Sequence, residues 1–269
     1  MIEPVVDVEW VRARRDRLVL ADVRAYLDGR SGRDAYRRGH LPGAVFADLD
    51  QDLAAAPSAA GGRHPLPDFQ AFAVRMGELG IGDGDTVVAY DDAGGVMAAR
   101  LVWMLRALGH DAALLDGGIG AWDGELETAV PQPRLKVFTA KPWPAERLAT
   151  IDEAADGAGV VIDARQPERF RGESEPIDSR PGHIPGAHNV SCRENVDATG
   201  RFLPAEVLRA RFAAAGVTDG GEVISYCGSG VTACHNLLSL ERAGFAPGRL
   251  YPGSWSQYAA TDRPAAKGS

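Results

Sequence analysis

The residues best able to do chemistry are the six that read Cys227-Gly228-Ser229-Gly230-Val231-Thr232. A β-rich apolar run, Val223-Ile224-Ser225-Tyr226, leads into them, and a helical pattern follows. Gly228 and Gly230 have no Cβ, so the backbone can curl and turn its N–H groups inward. The helix behind the loop adds its positive N-terminal end. Both effects stabilise an anion on the Cys227 sulfur and raise its thiolate fraction. A persulfide anion fits the same cradle. No charged side chain falls within residues 228–232, so backbone dipoles are expected to do most of this work. Cys234, just inside the helix, reads as a core thiol, and Cys192 as structural.

The elements that position this loop are written twice. Val19-Leu20-Ala21-Asp22-Val23-Arg24 matches Val160-Val161-Ile162-Asp163-Ala164-Arg165. Arg38-Gly39-His40-Leu41-Pro42-Gly43-Ala44 matches Pro181-Gly182-His183-Ile184-Pro185-Gly186-Ala187. Val87-Val88-Ala89-Tyr90 matches Val223-Ile224-Ser225-Tyr226, with Asp91 standing where the second copy has Cys227. The period is too long for a solenoid, so one domain occurs twice. Most free cysteines are small buried hydrophobes. A position that takes Asp in one copy and Cys in the other argues against that reading for Cys227.

Within each copy short apolar runs alternate with helical stretches. Strands are expected at 18–23, 86–90 and 113–115, and again at 160–163, 223–226 and 249–251. Helices are expected at 68–79, 97–108, 204–215 and 232–243, with Gly109 and Gly244 at the helix ends. This alternation predicts an α/β fold: two tandem domains, each a largely parallel sheet flanked by helices. Residues 129–147 carry Pro131, Pro133, Pro142 and Pro144 and read as the linker. The expected domains are 1–140 and 141–269. Ligands in such folds sit beyond the carboxyl ends of strands, where the Cys227 loop lies.

Composition narrows the class of partner. Asp and Glu outnumber Lys and Arg 37 to 29, for a net charge of −8, which disfavours nucleic acid. Three cysteines suit a reducing compartment rather than a disulfide scaffold. The first 16 residues carry Glu3, Asp7 and Glu9 and no apolar stretch. No run approaches the ~18 apolar residues of a membrane span. The expectation is a cytoplasmic protein, off the membrane and monomeric, because two linked copies already supply two domains. His40 and His183 recur in both copies, including the one without a cysteine, and read as turn residues bonded locally. His183 and His188 lack a zinc-type spacing, so no metal is expected, and no cofactor. Trp122, Trp255 and Tyr258 read as packing residues.

The Cys-Gly-Ser-Gly-Val-Thr loop resembles the active loop of tandem rhodanese-type sulfurtransferases. Its form is most similar to the 3-mercaptopyruvate branch. The paired Gly-His-x-Pro-Gly-Ala turns, Leu115-Asp116-Gly117-Gly118 and Tyr251-Pro252-Gly253-Ser254-Trp255-Ser256 fit the same family, over essentially the whole chain. The resemblance implies a catalytic C-terminal domain and an inactive N-terminal one. It implies ping-pong transfer of sulfane sulfur from a small anionic donor to Cys227. A thiol, cyanide or a thioredoxin-like acceptor then removes it. Gly228, Gly230, Val231 and Thr232 would form the donor's cradle.

Further residues follow from the same resemblance. Arg169, in Arg169-Phe170-Arg171-Gly172, would clamp the donor's carboxylate or sulfonate, since guanidinium binds such groups bidentately. A second arginine is expected at position 177, where this chain has Ile177, with Arg180 the stand-in. Ser229, His64 and Asp50 would form a proton relay that protonates the enolate left when sulfur departs. His64 and Asp50 fall in the N-terminal copy, which places the expected site between domains. Thiosulfate is the alternative donor, given Ile177. A phosphatase would need arginine six residues after Cys227, where Ala233 stands. A sulfur-binding regulatory module would suit the cysteine-free copy, but not the intact Cys227 loop.

Overall fold

The computed structural model describes residues 1–157 and 159–268. The chain forms two compact units. The first comprises Met1–Ala55, Pro67–Trp143 and Val196–Phe202. The second comprises Ala56–Leu66, Pro144–Asn195 and Leu203–Ser269.

In the first unit five strands form a parallel sheet: β1 (Val5–Val6), β2 (Leu18–Asp22), β3 (Val45–Phe46), β4 (Thr86–Tyr90) and β5 (Ala112–Leu115), in the order β1-β5-β4-β2-β3. In the second, β6 (Val160–Asp163), β7 (His188–Asn189), β8 (Val223–Tyr226) and β9 (Arg249–Leu250) pair in the order β7-β6-β8-β9, again all parallel. The two orders coincide strand for strand. A lone parallel bridge from Leu148 to Leu250 takes the place of β1. β4 and β8 are buried almost throughout, as continuous apolar runs must be when helices cover both sheet faces.

The four long helices are Phe69–Glu78, Ala99–Ala107, Ala205–Ala214 and Ala233–Arg242. Asp68 caps the first, its carboxylate accepting from the N–H groups of Gln70 and Ala71. The second and fourth end in Gly109 and Gly244, both in the left-handed region. In the proline-rich stretch, residues 129–144 contain neither helix nor strand.

The repeated motifs hold each unit together in the same way. Arg24 forks onto Asp22 and reaches the Gly39 carbonyl at 2.7 Å; Arg165 forks onto Asp163 and reaches the Gly182 carbonyl at 2.7 Å. His40 Nδ1 lies 2.8 Å from the Tyr36 carbonyl, and His183 Nδ1 lies 2.7 Å from that of Phe170. These bonds tie a turn to the sheet without solvent access. The motifs therefore recur in both copies for a structural reason.

Candidate active site

Cys227 follows the end of β8 and is 2% exposed. Its N–H donates to Ser254 Oγ at 3.1 Å, and its carbonyl accepts from Trp255 N–H at 2.9 Å. The Gly228 carbonyl accepts from Ser256 N–H at 2.8 Å. The short helix Ser254–Tyr258 thus pins the loop from behind. Ser254 has φ 52°, the one positive value outside glycine among the described residues. Its hydroxyl also donates to the Tyr251 carbonyl at 2.9 Å, which helps hold that strained turn.

The loop curls back on the sulfur. Gly230 N–H donates to Cys227 Sγ at 3.1 Å. Gly230 has φ +77°, and a Cβ there would stand 2.4 Å from the Pro252 carbonyl oxygen, so only glycine fits. The helix Ala233–Arg242 then begins, with buried Val231 and half-buried Thr232 ahead of it. Donor N–H and helix end both favour a sulfur anion. Cys234 Sγ donates to the Gly230 carbonyl at 3.4 Å, a contact within the fold. Burial pushes the Cys192 thiol up to about 12, and negative charge at Cys227 adds to the shift. Cys192 therefore stays a protonated thiol at neutral pH.

Ser229 Oγ lies 2.7 Å from His64 Nδ1. Both residues belong to the second unit, because Ala56–Leu66 folds with it. By sequence the segment belongs to the N-terminal copy, but it packs with the second unit. Arg63 N–H donates to Ser256 Oγ at 3.0 Å, and the Gln257 side-chain amide donates to the Ala60 carbonyl. A Cβ on Gly62 would meet the Gly253 carbonyl oxygen at 2.5 Å, so this segment is seated close against the turn. Asp50 lies in the helix Leu49–Asp52 of the first unit, where its N–H donates to Asp48.

Arg169 is brought to the loop in company. Its Nη2 bonds Glu175 at 2.6 Å and Asp178 at 3.0 Å. Asp178 also holds Arg63, and Glu175 also accepts from Arg165 at 3.1 Å. Burial pushes the Asp178 carboxyl above its usual range, although both arginines pull the other way. Burial works upward on Glu175 too, but hydrogen bonds from Arg169 and two backbone N–H groups hold it below. Around Gly228, Arg63 Nη2 and Arg169 Nη1 stand 2.9 and 3.6 Å from the position a Cβ would take. Arg180 is engaged elsewhere. It donates to the Tyr258 and Ala259 carbonyls at 3.2 Å and lies over the rings of Trp255 and Tyr258. Those bonds fix it against the helix Ser254–Tyr258, so it does not stand in for position 177.

Sequence reasoning overlooked Arg63. The available signal was a basic pair, Arg63-His64, among glycine and proline.

The equivalent loop in the first unit is filled by its own side chain. Asp91 Oδ1 accepts from Ala93 and Gly95 N–H at 2.8 Å each, and Oδ2 from Met97 and Ala98 at 2.8 and 3.0 Å. In the register of the repeat these positions are Ser229, Val231, Ala233 and Cys234. The loop architecture is thus an anion holder, occupied by a carboxylate in one copy and opened by a cysteine in the other.

The rhodanese-like domain model matches the chain twice, over residues 7–125 and 146–261. A Pseudomonas aeruginosa protein, provisionally named a 3-mercaptopyruvate sulfurtransferase, is 43% identical over 267 residues, covering 93% of both chains. The chain belongs to the rhodanese family. It is a tandem-rhodanese sulfurtransferase, with the cysteine in the second domain. SseB of Mycobacterium tuberculosis, provisionally named a thiosulfate sulfurtransferase, is 39% identical over 263 residues, 94% of this chain and 92% of that protein. A 3-mercaptopyruvate sulfurtransferase from Leishmania major matches this rhodanese protein with a TM-score of 0.87 at 31% identity, over 97% of this chain and 75% of that one.

Proposed function

We propose that this tandem rhodanese moves sulfane sulfur from 3-mercaptopyruvate to a thiol, cyanide or thioredoxin-like acceptor through a persulfide on Cys227. The observation that carries the choice of donor is the 2.7 Å contact between Ser229 Oγ and His64 Nδ1, two residues beyond the cysteine. The Cys227 thiolate attacks the donor's sulfur, and the carbon–sulfur bond breaks. The electron pair passes to the enolate of pyruvate. The donor's thiol proton leaves sulfur and a proton arrives at carbon, so the step needs a proton carrier and no net proton. Ser229 and His64 supply that carrier, and Asp50 is the third member we assign to the relay. In the second half-reaction a nucleophile attacks the outer sulfur, and the sulfur–sulfur bond breaks to restore the thiolate.

Arg169 orients the donor, while the N–H groups of the 228–232 loop hold the sulfur anion. No helix among the described residues is long and apolar enough to cross a membrane. We assign the protein to the cytoplasm and expect it to act as a monomer. Thiosulfate is the second reading, favoured by Ile177, which is 44% exposed where the resemblance leads one to expect an arginine. The test is sulfur transfer from each donor, compared by kcat/KM, with Cys227→Ala as control. The expected result is Cys227-dependent transfer with 3-mercaptopyruvate preferred. Preference for thiosulfate would replace the donor, and transfer that survives Cys227→Ala would remove the mechanism.

A further inference from the structure

We infer that a cleft outside the Arg63–Asp178 ion pair is the acceptor's subsite. It is built for the uncharged backbone of a cysteine-bearing peptide, and Ile177 sets that preference. The inference rests on the reading that Cys227 carries sulfur as a persulfide.

The cleft has a volume of about 340 Å³ and lies wholly within the second unit. Its inner wall adjoins the reacting loop. Arg63 lines it, and Arg63 Nη2 stands 2.9 Å from the position a Cβ on Gly228 would take. Ser256 lines it too, and its N–H donates to the Gly228 carbonyl at 2.8 Å. Gly228 follows Cys227 directly, so the cleft ends one residue from the reacting sulfur. Diatomic cyanide needs no such space, whereas a short length of peptide fits it. The peptide's thiol attacks the outer sulfur and the sulfur–sulfur bond breaks. The electron pair returns to Cys227 as thiolate, and the acceptor leaves as a persulfide with the thiol's proton.

The polarity of the walls selects among acceptors. The Arg63 guanidinium is held by Asp178, 3% exposed and shared with Arg169, so the cleft presents an ion pair rather than a bare cation. Ser179 Oγ donates its proton to the Ala259 carbonyl at 2.9 Å, and Ser256 Oγ donates to that of Gly253 at 3.1 Å. Both hydroxyls therefore offer a ligand lone pairs, not protons. Ser58 is the complement: its Oγ accepts from Gly61 N–H at 2.9 Å and keeps its proton to donate. An anion would meet mostly lone pairs here. A peptide matches the set, since each unit brings an N–H donor and a carbonyl acceptor.

The rim points the same way. Pro57, Ile177 and Ala260 make it apolar. Ile177 is 44% exposed, while its N–H is held by the Glu175 carboxylate at 3.2 Å, which fixes the backbone beneath the side chain. An arginine at this place would put a cation on the rim and favour an anionic thiol. Isoleucine instead offers apolar surface to a side chain beside the acceptor's cysteine.

The test separates the two half-reactions in the full chain. Cys227 is loaded from 3-mercaptopyruvate or thiosulfate, and release of pyruvate or sulfite counts the sulfur taken up. The loaded protein is then discharged with cyanide, with acetyl-Ala-Cys-Ala-amide, or with glutathione, which carries carboxylates. Ala260→Trp fills the cleft from an exposed position. It should raise KM for the blocked peptide by about tenfold or more, with loading and cyanide discharge within about twofold of the parent. Ile177→Arg should shift the ratio of kcat/KM between the blocked peptide and glutathione by about tenfold towards glutathione. If Ala260→Trp also loses loading, Ile177→Arg decides alone. Parent-like discharge in both variants, or an Ile177→Arg protein that slows peptide and cyanide alike, overturns the assignment. If no donor loads Cys227, the sulfur-transfer reading fails and the cleft is tested by binding of unreactive acetyl-Ala-Ser-Ala-amide, followed through the Ile177 methyl signals. Shifts that vanish in Ala260→Trp keep the subsite; no shifts in the parent overturn it.

Discussion

At the residue scale, the chemistry depends on which group supplies the proton. A thiosulfate donor leaves as sulfite, with no carbon to protonate; 3-mercaptopyruvate leaves as an enolate that needs a proton. Ser229→Ala should therefore lower kcat with 3-mercaptopyruvate by about 10²-fold or more, while leaving transfer from thiosulfate nearly unchanged. A purely structural role for Ser229 would slow both donors alike, so parallel kinetics decide between them. The Cys227 loop was legible from the sequence, because a cysteine between a strand and a glycine-rich helix start is a local signal. Arg63 was not. Its place beside Gly228 comes from the seat of residues 56–66 against Gly253 and Ser256, and no spacing in the sequence encodes that contact. Arg180 was misleading for the complementary reason: it lies near Ile177 in sequence, but its bonds run to Tyr258 and Ala259.

At the element scale, the internal repeat made the central strands and long helices readable, because each was written twice with the same apolar pattern. The two-residue strands Val5–Val6, Val45–Phe46 and His188–Asn189 escaped notice, being too short to show any period. The helix Ile151–Asp156 carries a reciprocal cap: Glu153 N–H donates to Thr150 Oγ1, and Thr150 N–H donates to the Glu153 carboxylate at 2.7 Å. Arg249, at the start of β9, also binds that carboxylate, and with the Thr150 bonds holds it at about 2, well below its ordinary 4.5. The folded pKa is the lower one. The contribution to stability is thus fully present above the ordinary value and is lost as pH falls towards the folded one. Melting temperatures of the parent and Glu153→Gln, measured across pH 5 to 2, should differ most at pH 5 and converge at the acid end. A constant gap would mean that packing, not ionisation, accounts for the effect.

At the scale of the whole molecule, the units are not consecutive pieces of chain. Ala56–Leu66 belongs to the second and Val196–Phe202 to the first. The internal repeat made two domains legible, but not this exchange of segments. A cut at the linker would leave residues 144–269 with Cys227 and Arg169 but without Arg63 and His64. Each half would also lack a strip of its own fold. The intact chain should therefore unfold in one calorimetric transition, while the isolated half 144–269 should melt at a lower temperature and with less cooperativity. Two well-separated transitions in the intact chain would show that the exchanged strips contribute little. Asp91 bears on the same scale. Its carboxylate is a ligand that cannot dissociate, because it is covalently part of the loop that binds it. Its tether gives it a high effective concentration that a free anion competes with poorly, and Asp91 has no sulfur on which a persulfide could form. A molecule that is duplicated in architecture should therefore be univalent in sulfur, with one equivalent expected to load per chain.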